Sequence, residues 1–193
     1  TLAQLKSINN ATSGTITLQD PTFALTGSVA DIKAAFAGTI TTHTGAVTIS
    51  DAAATDITAT DIATINSATT GVITVTNAVD INGSGSEVAA AFAAIDINTG
   101  NATATITGND YTVAQLKAIN NATTGAITLS TTNTNLTGTA ADLVSAFAGT
   151  ITTHTGNITI TDTPTDAQLA IIDAATTGTI SYESGGGGGG GGG

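Results

Sequence analysis

Apolar and polar positions along this chain follow two periods that take turns. In one, apolar residues fall at every second position with Thr between them: Ile16 and Leu18, Val47 and Ile49, Ile73 and Val75, Ile127 and Leu129, Ile158 and Ile160. That alternation predicts short strands with one apolar face, and β-branched Thr suits the other. In the other, apolar residues recur three or four apart: Leu5, Ile8 and Ala11, or Leu116, Ile119 and Ala122. Ile32 and Phe36, Val88 and Phe92, and Leu143 and Phe147 do the same. That spacing predicts short helices buried along one stripe. Phe at matching positions reads as core.

Each predicted helix has a start signal. Thr1, Thr58, Thr112 and Thr165 are followed three residues later by Gln4, Asp61, Gln115 and Gln168. Ser28, Ser84 and Thr139 are followed by Asp31, Glu87 and Asp142. This spacing resembles the capping box, in which a hydroxyl and a later side chain satisfy each other's free backbone N–H groups. Asn9, Asn66, Asn120 and Asp173, then Gly14, Gly71, Gly125 and Gly178, read as helix ends, because Asn and Gly tolerate the left-handed conformation.

The pattern is written repeatedly. A unit A, of the type "TVAQLKAINNATTGAITL" from Thr112, occurs four times, and a unit B, of the type "LTGTAADLVSAFAGTITTHTGNITITD" from Leu136, three times. They alternate A-B-A-B-A-B-A over residues 1–20, 21–51, 52–77, 78–110, 111–131, 132–162 and 163–184. Strand–helix–strand succession with short links makes parallel strands, and units this small bury their faces only by stacking. The expectation is one α/β solenoid of short parallel strands and short helices. Its coils run about 22–31 residues, in A/B pairs of about 55. An all-β solenoid is the alternative, and "TITTHTG" in unit B reads as a second short strand or a turn carrying His43 and His154. The nine glycines 185–193 read as a linker or as unassigned residues.

Composition narrows the chemistry. There is no Cys, Met, Trp or Arg, Thr supplies 43 of 193 residues, and the net charge is −11 with only Lys6, Lys33 and Lys117 basic. Nucleic-acid binding, which needs cations against phosphates, is not expected, and neither is membrane insertion. No phosphate loop, nucleophile elbow or zinc-type histidine pair occurs, so no catalytic residue, cofactor site or enzyme activity is expected. Calcium is the weak metal reading, through Asp20, Asp51, Asp110 and Asp162 at or beyond strand ends, although Asp favours turns without any ion. Asn-x-Thr sequons at Asn10, Asn101, Asn121, Asn135 and Asn157 suit a glycosylated exported protein, though abundant Asn and Thr produce such matches by chance. Thr-x-Thr pairs at Thr15, Thr39, Thr74, Thr103, Thr150 and Thr159 would line an outward face, as in ice-binding arrays, or simply solvate a sheet.

The two quoted stretches resemble the Thr/Ala-rich repeats of very long cyanobacterial secreted or cell-surface proteins of adhesin-like type, and the resemblance covers Thr1 to about Ser184. It implies an extracellular structural role and brings no site residues with it. The chain opens in mid-motif and shows no obvious polar cap at either end. The expectation is an extracellular piece of something longer that associates with copies of itself, end to end or laterally, into a surface fibre. An adhesin stalk binding glycans or Ca²⁺ is the alternative.

Overall fold

Seven hydroxyl caps start seven helices in the computed structural model, which describes residues 1–182; the glycine tail lies outside the described residues. The helices are α1 (Leu2–Ala11), α2 (Val29–Phe36), α3 (Ala59–Ala68), α4 (Gly85–Ala94), α5 (Val113–Ala122), α6 (Ala140–Ala146) and α7 (Asp166–Ala175). The all-β alternative is therefore overturned. In every one the cap hydroxyl accepts the N–H three residues on. The reciprocal bond divides by residue type. Gln4, Glu87, Gln115 and Gln168 reach back to close a full capping box. Asp31, Asp61 and Asp142 are one methylene shorter, and each pairs instead with a lysine of the preceding helix: Lys6, Lys33 and, at 2.6 Å, Lys117.

The unit A helix ends differ from the reading above. Their closing residues, Thr12, Thr69, Thr123 and Thr176, are extended, with φ of −140, −135, −146 and −133°. Each Thr hydroxyl accepts the N–H of the glycine two residues on, at 3.0 Å. The left-handed glycines lie after the unit B helices instead, at Gly38 (φ 85°) and Gly149 (φ 76°). There the freed carbonyls are collected by an amide from the previous segment. Asn9 Nδ2 donates to the carbonyls of Ala34 and Ala35 at 3.0 and 3.1 Å, and Asn120 Nδ2 to that of Ser145 at 2.9 Å. Asn120→Ala is expected to lower stability by about 1–2 kcal/mol, since it orphans carbonyls that Asn120 serves. Asn66→Ala, at an exposed position of the same sequence pattern, should change it by less than about 0.5 kcal/mol. Urea denaturation followed by helix signal compares the two.

Eleven short strands complete the described chain: β1 (Leu25–Gly27), β2 (Val47–Ile49), β3 (Asp56–Thr58), β4 (Ile73–Val75), β5 (Asp80–Gly83), β6 (Ile97–Asn98), β7 (Thr103–Ile106), β8 (Ile127–Leu129), β9 (Leu136–Gly138), β10 (Ile158–Ile160) and β11 (Ile180–Tyr182). They form three parallel sheets, ordered β1-β2-β4-β6, β3-β5-β7-β8 and β11-β10-β9. Register puts like on like. Leu25, Val47 and Ile73 stand side by side, as do Ile57, Ile81, Ala104 and Ile127. These columns are buried, and the Thr columns between them, Thr26-Thr48-Thr74 and Thr137-Thr159-Ser181, face outward. In "TITTHTG" only isolated parallel bridges form, at Ile40, His43, Ile151 and His154.

Successive helices pack on one another from α1 to α7, and one apolar cluster runs beneath helices and strands together. The buried stripes fall where the helical spacing put them, at Ile32, Phe36, Val88, Phe92, Leu116, Ile119, Leu143 and Phe147. Ile8, at 52 % exposure, and Ala11, also exposed, are the departures. Leu18 and Ile16 are half-buried, and Ile16 makes one bridge rather than a strand. The outward positions of α7 are also more polar than expected. Asp166 and Asp173 stand where α1 has Leu2 and Asn9, and α5 has Val113 and Asn120.

Candidate functional site

The two histidines are the first groups to test for chemistry, and neither is a surface turn residue. Both are fully buried, each bridged to a threonine of the next unit A: His43 to Thr69 and His154 to Thr176. His43 Nε2 lies 2.7 Å from the Phe23 carbonyl oxygen, so it is the N–H nitrogen and donates. Its Nδ1 faces Thr69 Oγ1 at 3.2 Å. Phe23 meets the ring edge-on at 5.2 Å between centroids, and Phe36 at a tilt at 5.5 Å.

His154 has the same setting with different furniture. Tyr111 meets it edge-on at 6.3 Å and Phe147 at a tilt at 5.8 Å. Its Nδ1 is 3.4 Å from Thr176 Oγ1, and its Nε2 has no hydrogen-bond partner among the described residues. Burial pushes the His154 pKa below the ordinary histidine value, because the charged ring would lose its water. Burial also raises the Tyr111 phenol, whose hydroxyl donates to the Thr131 carbonyl at 2.9 Å. Phe23 and Tyr111 come from different places in the sequence pattern. Phe23 precedes β1, whereas Tyr111 precedes the cap of α5 and Thr134 takes the matching place before β9. The aromatic partner keeps its place in space while it moves in sequence, which hid it from residue spacing. An off-pattern aromatic near each histidine was the signal that could have found it. A fully buried ring with aromatic and threonine neighbours offers no proton to a substrate in this conformation.

The four aspartates weighed for calcium are held by the chain itself or stand singly. Asp51 Oδ2 accepts the Val29 N–H and Asp162 Oδ1 the Ala140 N–H, both at 2.8 Å. Each therefore covers the first turn of a unit B helix from the following strand, where a carboxylate also meets the helix dipole. Asp20 accepts the Thr22 N–H at 2.9 Å, and bonds from Thr22 hold its pKa below the usual carboxylate value. Asp110 sits in the loop before α5. Among the described residues no three His, Asp or Glu side chains gather closely enough to hold a metal ion.

The Thr-x-Thr positions do more stitching than display. Leu18 and Leu129 donate their N–H groups to Thr41 Oγ1 and Thr152 Oγ1, both at 3.1 Å. Thr76 and Thr103 hydroxyls donate to the Ile49 and Val79 carbonyls at 3.1 and 3.3 Å. Thr15, Thr17, Thr39 and Thr150 lie outside the strands, so the outward rows are short. The five sequon asparagines are exposed. Asn135 and Asn157 accept, through Oδ1, the N–H groups of Asn157 and Thr179 at 3.1 and 3.2 Å. All three lysines are engaged with aspartates, which hold Asp31 and Asp142 below their usual pKa. No helix among the described residues is long and apolar enough to cross a membrane.

Side-chain chemistry in this chain thus points from one segment to the next. Comparison with protein families, with curated proteins and with solved structures returns no match for the chain.

Proposed function

We propose that the chain is an extracellular structural protein, an α/β solenoid whose work is to stack coil on coil into a surface fibre or filament. The observation that carries the reading is where its polar groups go. Asn9, Asn120, Lys6, Lys33, Lys117, Thr69 and Thr176 all bond to a neighbouring unit, at sequence separations of 20 to 28. A binding or catalytic site would gather such groups in one place; here they are spread evenly along the stack. Units that cannot bury their faces alone gain stability only from neighbours, which favours extended assemblies. The alternating sequence grammar and the parallel ladders between successive units support the same reading.

Immunogold labelling of intact producing cells with antibody to this chain tests the role. Label along surface fibres is the expected result. Label confined to the cell interior, or to dispersed soluble protein, would overturn it.

A further inference from the structure

A joint between a unit B and the unit A after it is built twice around a histidine, once where α2 packs on α3 and once where α6 packs on α7. In both, a unit A hydroxyl donates to the histidine's own carbonyl at 3.1 Å, Thr69 to His43 and Thr176 to His154. In both, the next backbone N–H donates to the same carbonyl at 2.9 Å, from Thr70 and Thr177. The first joint has two ties that the second lacks. Lys33 pairs with Asp61 across α2 and α3, whereas Val144 and Gln168 stand at those places in α6 and α7. The His43 ring also has an oxygen at each nitrogen, the Phe23 carbonyl at 2.7 Å and Thr69 Oγ1 at 3.2 Å. A second proton on that ring meets an acceptor already in place. His154 has one such oxygen, Thr176 Oγ1 at 3.4 Å from Nδ1, and its Nε2 makes no close hydrogen bond. A second proton there creates a buried N–H beside Phe147 and Tyr111. Tyr111 is the titratable group that faces the ring, and its hydroxyl is already given to the Thr131 carbonyl. Among the described residues no carboxylate lies within ion-pair distance of either imidazole. The backbone of Thr134 and Gly156 favours the charged ring, but burial outweighs it.

We infer that the joint between residues 132–162 and 163–182 is an acid-sensitive latch, which a proton on His154 loosens while the matching joint at His43 stays closed. A charged N–H enclosed by aromatic rings without an acceptor is costly, and the cost is relieved when Thr176 draws away and water reaches the ring. In a stack whose units touch only their neighbours, such an opening stays local instead of unfolding the chain. The latch belongs to this chain alone and stands apart from the fibre reading.

Amide hydrogen exchange of the full chain, read by NMR, tests the latch, because the two joints carry matched reporters. Thr70 and Thr177 each follow a Thr and precede a Gly, so their unprotected exchange rates are alike. Each N–H is bonded across its own joint. The ratio of their protection factors is compared between about pH 7.5 and about pH 5. Protection at Thr177 is expected to fall relative to Thr70 by about threefold to thirtyfold, the upper figure being the most that one histidine proton allows. Reading the change with pH, rather than protection itself, removes any fraying that is present at both pH values. His154→Leu cannot take up the proton and should hold the ratio constant, and His154→Phe serves for the same comparison where the Leu variant does not fold. A ratio that stays flat in the parent overturns the inference without any variant. So does an equal fall in the ratio of His154→Leu or His154→Phe. Parallel losses at Thr70 and Thr177 also overturn it, because the chain would then be weakening as a whole.

Discussion

Alanine at Gly71 is expected to destabilise the protein by about 3 kcal/mol or more, while alanine at Gly14 stays within about 1 kcal/mol of the parent. The two glycines occupy the same place in the sequence pattern, so propensity predicts equal effects. Packing separates them. A methyl group on Gly71 would fall inside the carbonyl oxygen of Gly45 and 2.9 Å from that of Thr44. Both are backbone atoms held in place by their own neighbours, so nothing flexible can give way. Gly178 meets Gly156 in the same manner. At Gly14 the nearest atom is the residue's own neighbour Thr12 Oγ1, at 3.3 Å. The reduced freedom of the unfolded chain favours alanine by about 0.4–1 kcal/mol at both sites and cancels in the comparison. Urea unfolding of the two variants measures the difference. Equal losses would mean that the close passage of the two backbones does not decide which residue stands there.

Gly71 also shows where sequence reading ran out. Thr-x-Gly after a helix looks like a helix stop, and the stop was legible. The reason for glycine was not, because it comes from the backbone of Gly45 in the preceding unit. The hydroxyl caps were readable because a cap is a local contract between Ser28 and Asp31, or Thr112 and Gln115. The buried columns were readable because a period of two fixes the face. Ile8 and Ile119 have nearly identical surroundings in sequence and opposite exposure, since only a neighbouring unit decides which is covered. The aspartates at strand ends were legible as loop carboxylates; that Asp51 and Asp162 reach back to the preceding helix was not. The histidines misled most. Their polarity and Gly-rich context suggested a turn, whereas Thr69, Phe23 and Tyr111, each from another segment, make the buried setting.

Those histidines carry the other large expectation. His43→Leu should destabilise the protein by about 1–3 kcal/mol more than His154→Leu. Both changes keep an apolar body of similar size among the same kinds of aromatic ring. Only the first strips a buried acceptor, the Phe23 carbonyl, of its 2.7 Å donor. His154 Nε2 makes no close hydrogen bond, and the backbone of Thr134 and Gly156 only partly offsets its burial, so less is lost there. The pH dependence points the other way. Burial lowers the folded-state pKa of His154 below its ordinary value of 6.5, so on acidification the unfolded chain takes up that proton first. Stability from this residue is thus fully present above about pH 6.5 and declines as pH falls below it. The slope can reach no more than about 1.4 kcal/mol per pH unit for one proton. It flattens below the folded-state pKa. Asp31, Asp142 and Glu87, whose pKa values are lowered by Lys6, Lys117 and Ser84 respectively, lose their contributions only in the more acidic carboxylate range. Urea titrations between pH 7.5 and 5 (roughly one unit either side of the histidine value) therefore report on the two imidazoles rather than on the carboxylates. The parent should weaken across that window, and His154→Leu should remove the contribution of this ring. An undiminished slope in His154→Leu would show that the burial of His154 does not carry the pH dependence.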